Sequence, residues 1–213
     1  MSPPAASAPH RAGATPAATA APTATPAAHP GCLPLLRRAS DALARIELAA
    51  AGAALGAVCL LLLLNIVTRS AGHALFWVDE AAVAAMAWMA FLATSVSLNK
   101  RTNIAVTLAV DLARPALRRW LAVAVDAVLL GFALTLAVLV WRWFSPLDLI
   151  AAGGDPAAFA EATLNFMYEE PTQTLGVRKV WLWAILPLFA ASACVHGLAN
   201  LDASLAAARR GGR

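Results

Sequence analysis

Four long apolar segments organise the chain, roughly Ile46–Thr68, Trp77–Leu98, Trp120–Val140 and Val180–Leu198. Each is long enough to cross a hydrocarbon core of about 30 Å as a helix, which takes about 20 residues. The pattern predicts an all-α membrane protein with four transmembrane helices and short interfacial helices between them. An even number of crossings returns both ends of the chain to one side. Ser70–Phe76 joins the first two spans as a tight hairpin.

The connections between the other spans differ in character. Ile104–Leu112 alternates apolar and polar positions. A lone strand at a membrane surface would leave its backbone unpaired, so this stretch is read as a short interfacial helix facing lipid with Ile104, Leu108 and Leu112. Pro115 separates it from span three. Leu36–Arg45 is read as a lead into span one, a short helix at the membrane surface. Phe144–Val177 is long, with Asp148, Asp155, Glu161, Glu169 and Glu170 and no Lys or Arg. Asp155-Pro156 after Gly153-Gly154 reads as an N-cap followed by the first helical position. Phe159 and Phe166, seven residues apart, are expected to give that helix one apolar stripe.

Charge sets the expected orientation. Arg11, Arg37, Arg38, Arg45, Lys100, Arg101, Arg114, Arg118, Arg119, Arg209, Arg210 and Arg213 fall on the side of the termini. The other side receives Arg69, Arg142, Arg178 and Lys179. By the positive-inside rule both termini are cytoplasmic, and the expected location is the bacterial inner membrane. The net charge of +4 then reflects topology, and no nucleic-acid partner is implied.

Composition divides the chain further. Residues 1–34 are Ala, Pro and Thr with eight of the thirteen prolines. Such a segment has too little to bury to offset its ordering entropy, so a disordered cytoplasmic tail is expected. The four-span domain is placed at 35–202 and a basic cytoplasmic tail at 203–213. Cys32, Cys59 and Cys194 suggest no disulfide, metal centre or redox motif.

Polar side chains within the spans carry the site candidates, because lipid makes them costly. Asn65 and Arg69 end span one, and Trp77, Asp79 and Glu80 open span two. The short hairpin is expected to gather Asn65, Arg69, Trp77, Asp79 and Glu80 into one structural rim cluster. Ala81, Ala82, Ala84, Ala85, Ala87 and Ala90 give span two a small-residue surface suited to close helix approach. Ala84, Ala87, Trp88, Trp120, Asp126 and Trp181 are the candidates for a subunit interface. Asp126 reads as the one carboxylate deep in a span, and a structural Asp126–His196 or Asp126–Arg contact is expected for it. The alternative, a proton relay, needs a second titratable group at that depth, and His196 is the nearest. With only His196 available within the spans, a diheme site is excluded; no catalytic set, metal cluster or cofactor is expected.

Order and spacing over about residues 44–200 resemble the small membrane subunit of tripartite ATP-independent periplasmic (TRAP) transporters, the DctQ family. That family's first hairpin has a Gln, an Arg four residues on, then Trp-x-Glu-Glu. Here stand Asn65, Arg69, Trp77, Asp79 and Glu80. Its connecting loop has basic residues, His-Ile-x-Val-Asp, a Pro and Arg-Arg-Trp-Leu, followed by an acid. Here the residues are Lys100-Arg101, Asn103-Ile104-Ala105-Val106-Thr107, Pro115, Arg118-Arg119-Trp120-Leu121 and Asp126. Before span four it shows Leu-Gly-Ile-Pro and a Trp, matched by Leu175-Gly176-Val177-Arg178 and Trp181. Asn103, Thr107 and Arg178 depart from the pattern, as does Val83 where the family often has a basic residue. The resemblance implies a non-catalytic scaffold for a large sodium-coupled (DctM-like) subunit. It also implies a periplasmic substrate-binding protein that delivers a C4-dicarboxylate or other organic acid. The competing class is a self-sufficient tetraspan enzyme or carrier acting as a homo-oligomer.

Overall fold

The computed structural model describes residues 33–102 and 115–210. Four of its helices are long and apolar enough to cross a membrane. They begin with α1 (Pro34–Ser70), α2 (Phe76–Lys100) and α3 (Pro115–Phe144). Two short helices follow, α4 (Pro146–Ala151) and α5 (Pro156–Thr163). A single turn, α6 (Val180–Trp183), then leads into α7 (Ile185–Arg210). The expected tail, except Leu33 and Pro34, and the expected helix at Ile104–Leu112 lie outside the described residues.

Helix α1 has 37 residues, about 55 Å at 1.5 Å per residue. The stretch Leu36–Arg45, expected to lie apart at the surface, is instead the continuous start of this helix. Pro34 occupies its first turn, where the missing N–H costs nothing. From there to Gly52 the chain has no Gly or Pro to break it. The helix ends at the hairpin on Gly72, whose φ of 77° lets the His73 N–H reach back 2.9 Å to the Thr68 carbonyl. This is the helix stop for which glycine is suited.

Helix α1 packs chiefly on α2, and α3 chiefly on α7. Helix α7 joins the two pairs, lying against α2 and more sparsely against α1. The Leu33 N–H bonds the Asp202 carboxylate at 3.1 Å, so the start of α1 lies against the C-terminal part of α7, at the end of the bundle called here the terminal side. The 71–75 turn and residues 145–179 form the opposite, hairpin side.

Span four departs from its expected form in two ways. The helix breaks at Ala184, because Pro187 lacks an N–H and its ring crowds the carbonyl four residues earlier. The Leu182 carbonyl at this break accepts from the Trp88 indole at 3.0 Å. At its other end α7 continues to Arg210, with Ala203, Ser204 and Ala206 buried. Residues 203–210 are thus helix, where a tail was expected.

The small apolar core is Ala133, Phe189 and Ala193, with Phe91, Leu98, Leu136 and Cys194 around it. Phe91 and Phe189 meet with ring centroids 5.2 Å apart. Helices α3 and α7 approach closely at Gly197. A Cβ there would lie 3.2 Å from Leu130 Cδ1 and 3.4 Å from its Cα.

In the loop after α3, Asp155 caps α5 by accepting from the Ala157 N–H at 3.0 Å, and Pro156 takes the first helical position. The expected Phe159–Phe166 stripe does not form. Helix α5 ends at Thr163, and Leu164 turns left-handed with φ 55°. Phe159 is enclosed against Tyr168, ring centroids 5.2 Å apart, whereas Phe166 is exposed beyond the helix end.

Adding bulk at the Gly197 contact should separate α3 from α7. Gly197→Val is expected to destabilise the purified protein by about 1–3 kcal/mol through overpacking. Gly131→Val, at a site with open space around it, should cost less. Thermal unfolding of both variants in detergent checks this; equal midpoints would contradict the close approach.

Candidate functional site

Among the described residues, three polar clusters interrupt the apolar bundle. The first lies on the hairpin side, where α1 gives way to α2. Arg69 Nε donates to Asn65 Oδ1 at 2.6 Å and Arg69 Nη2 to Asp79 Oδ2 at 2.6 Å. The Asn65 amide also donates to Asp79. The side chains of Arg69 and Asp79 are 55% and 45% exposed, so in water such a pair contributes under about 1 kcal/mol. Its geometric content is larger, since it ties two helices at one level.

Glu80 was expected in this cluster and is directed elsewhere. Its carboxylate accepts from the backbone N–H groups of Gln173, Thr174 and Leu175 at 3.0, 2.7 and 3.0 Å. The Thr174 hydroxyl adds a fourth bond at 2.6 Å. Asp79 and Glu80 are consecutive on a helix and so point about 100° apart. One faces α1 while the other clasps the long loop. Trp77 is exposed nearby.

The second cluster lies toward the terminal side, and nothing in the sequence reading named its centre. Glu47 on α1 is 6% exposed. One carboxylate oxygen accepts from the Ser95 hydroxyl of α2 at 2.9 Å, and the other lies 3.1 Å from His196 Nε2 of α7. His196 is fully enclosed, with Nδ1 2.7 Å from Ser40 Oγ on α1. Asn99 Nδ2 donates to that same hydroxyl at 2.9 Å, and Ser192 Oγ meets Ser95 Oγ at 2.8 Å. An ionised carboxylate only accepts, so the tautomer that satisfies this contact with an ionised Glu47 has its proton on Nε2. Glu47 is thus a second buried carboxylate beside Asp126, placed at the terminal-side start of the apolar run of α1.

Ser40, His196 and Glu47 follow the order of a hydrolytic triad. Ser40 is 1% exposed, and its hydroxyl is engaged by Asn99 and His196. No substrate carbonyl can approach it in this arrangement.

The third cluster surrounds Asp126, which bonds Arg101 and not His196. Arg101 ends α2 in a left-handed conformation, φ 53°. Its Nη2 lies 2.6 Å from Asp126 Oδ2, 2.6 Å from the Asn200 carbonyl and 2.9 Å from Ser204 Oγ. The Ser204 hydroxyl donates to Asp126 as well. His196 misses Asp126 because it lies eight residues before Ser204 on α7, about 12 Å along the axis.

The interface candidates divide by exposure. Trp120 and Trp181 are 65% and 68% exposed, and Ala87 also faces outward. Ala84 is half-buried, Trp88 is bonded to Leu182 and Asp126 to Arg101. The sequence reading passed over Gly52 and Gly56, four residues apart on the outer surface of α1 with open space around each. Among the described residues, no three or more His, Cys, Asp or Glu side chains gather as a metal site. Every buried side-chain nitrogen and oxygen among them has a partner.

If the Glu47–His196 contact couples α1 to α7, their substitutions should not add. Either Glu47→Ala or His196→Ala should destabilise by about 3–5 kcal/mol, because each leaves a buried partner uncompensated. The double variant should cost clearly less than the sum. Unfolding midpoints in detergent give the cycle; additive losses would contradict the coupling.

The family described as Tripartite ATP-independent periplasmic transporters, DctQ component, matches residues 58–206, more than half of the chain. The match takes in the hairpin-side cluster, the Glu80 clasp and Arg101–Asp126, while Ser40 and Glu47 precede it. No curated protein and no solved structure matches. With four helices able to cross a membrane, this is a multi-pass membrane protein. The chain belongs to the DctQ component family of tripartite ATP-independent periplasmic transporters.

Proposed function

We propose that this protein is the non-catalytic small permease subunit of a TRAP transporter, a scaffold in the bacterial inner membrane. Its partner is the large DctM-like subunit, which carries sodium and an organic acid delivered by a periplasmic binding protein. The observation that carries the scaffold reading is the uncovered state of α1. Only 6% of its most apolar stretch is buried inside the bundle, against 39% for the last span. Helices in lipid associate by close packing of small residues and by interhelical hydrogen bonds. The outward Gly52, Gly56 and Ala87 offer the first. The buried ionisable groups Glu47, His196 and Asp126 are occupied with one another's helices, which supports a wall more than an ion pathway.

Both termini are proposed to be cytoplasmic, on the distribution of twelve cations against four and the positive-inside rule. Single cysteines at Asp155 and Arg209, in a background without native cysteines, test this in intact spheroplasts. The Asp155 site is expected to react with an impermeant thiol reagent and the Arg209 site to react only after lysis. The reverse order overturns the orientation.

For the scaffold role, Ala87→Trp is expected to reduce recovery of the large subunit on affinity purification. Asp126→Asn should lower thermal stability, yet leave the sodium-to-substrate ratio unchanged in reconstituted vesicles. An altered ratio with complex recovery intact would place this subunit in the ion path.

A further inference from the structure

Beyond the spans, residues 145–179 hold large apolar side chains that the core does not use. Leu147, Ile150, Leu164 and Phe166 are all exposed. Leu147 and Ile150 are three residues apart and share one face of α4. Asp148, Asp155 and Glu161 in the same segment are exposed too, so the surface is amphipathic.

Two hydrogen bonds fix the level of this segment. Asn165 Nδ2 donates to the Trp143 carbonyl at 2.7 Å, and the Tyr168 hydroxyl donates to the Phe144 carbonyl at 2.7 Å. Those carbonyls close the last turn of α3, so Leu164 and Phe166, on either side of Asn165, are held at the end of a transmembrane helix. Helix α4 departs from the same end. Ser145, left-handed with φ 38°, interrupts the helix before Pro146 starts α4. The far end of the segment is secured as well, by the Glu80 clasp on residues 173–175 and by the Lys179–Glu170 ion pair.

We propose that residues 145–179 form a platform seated on the bilayer surface of the hairpin side. Leu147, Ile150, Leu164 and Phe166 enter the headgroup–acyl boundary. The occupant is lipid because the segment is bonded to the end of α3, near which Leu139 and Trp141 are exposed. Exposed Trp141, Trp143 and Trp181 mark that level, and tryptophan is enriched where the headgroups lie. Four side chains present only a few hundred Å², whereas a specific protein interface buries about 1,000 Å² or more. The anchors at both ends hold the segment in place before it meets the membrane, so seating it orders little further chain.

The test uses the full chain with its native cysteines replaced, reconstituted alone in phosphatidylcholine–phosphatidylglycerol vesicles. Single cysteines at Ile150, Phe166, Asp155 and Glu161 carry a polarity-sensitive fluorophore, and acyl-brominated phosphatidylcholine serves as quencher. At positions 150 and 166 the emission should be blue-shifted and fall about twofold or more with brominated lipid, as for groups at the interfacial depth. At 155 and 161 it should be quenched much less. Blue-shifted but unquenched emission at 150 and 166 would mark a protein contact and overturn the proposal. So would water-like emission there, or equal quenching at all four positions.

Discussion

The Glu47 carboxylate, shared between Ser95 of α2 and His196 of α7, is the contact on which the placement of α1 depends. Lipid tails are as apolar as leucine, so burial does not press one transmembrane helix against another. Helix α1 has little apolar surface inside the bundle, chiefly Ala44 and Ala51. Its attachment is polar and concentrated at two levels, Ser40 to Glu47 and Asn65 to Arg69. Between them residues 48–64 carry no polar side chain. At 1.5 Å per residue that interval is about 25 Å, close to the hydrocarbon thickness of about 30 Å. Sliding α1 by one turn, about 5.4 Å, would break both levels together. The two clusters therefore fix register.

Arg101 does for α3 what Glu47 does for α1. A non-glycine residue in the left-handed region is uncommon and costs free energy. Here that turn carries the guanidinium from the end of α2 to Asp126 on α3 and to Asn200 and Ser204 on α7. Asn200 returns a bond to the Leu98 carbonyl at 2.8 Å. Helix α7 takes part in both clusters, which accords with its being the most buried span.

Much of this is legible in the sequence. The spans follow from apolar length, and Asn65, Arg69 and Asp79 could be brought together because only a short turn separates their helices. Glu47 escaped notice because it begins an apolar run, where a carboxylate passes for one reaching into the headgroups. Its partner His196 lies 149 residues away, and no local pattern links the two. Of the two contacts expected for Asp126, the one to an Arg forms, with Arg101, and the one to His196 fails on depth. With span four ended at Leu198, His196 appeared near the terminal-side edge, but the helix runs to Arg210 and places Ser204 there instead. Phe159 and Phe166 misled because a period of seven means one helix face only while the helix lasts, and α5 stops at Thr163.

The position of Glu47 also bears on how the chain can be inserted during synthesis. Membrane spans emerge N-terminal first, at about 5–20 residues per second. The hairpin of α1 and α2 can close its Asn65–Arg69–Asp79 contacts at once, and Ser95 arrives with it. His196 is made only after a further hundred residues, so for several seconds the carboxylate has no histidine. In the middle of the hydrocarbon such an unpaired charge would resist insertion. At the first turn of the apolar run, headgroups and water can solvate it until α7 arrives. The late partner thus constrains where on α1 an acidic residue can stand.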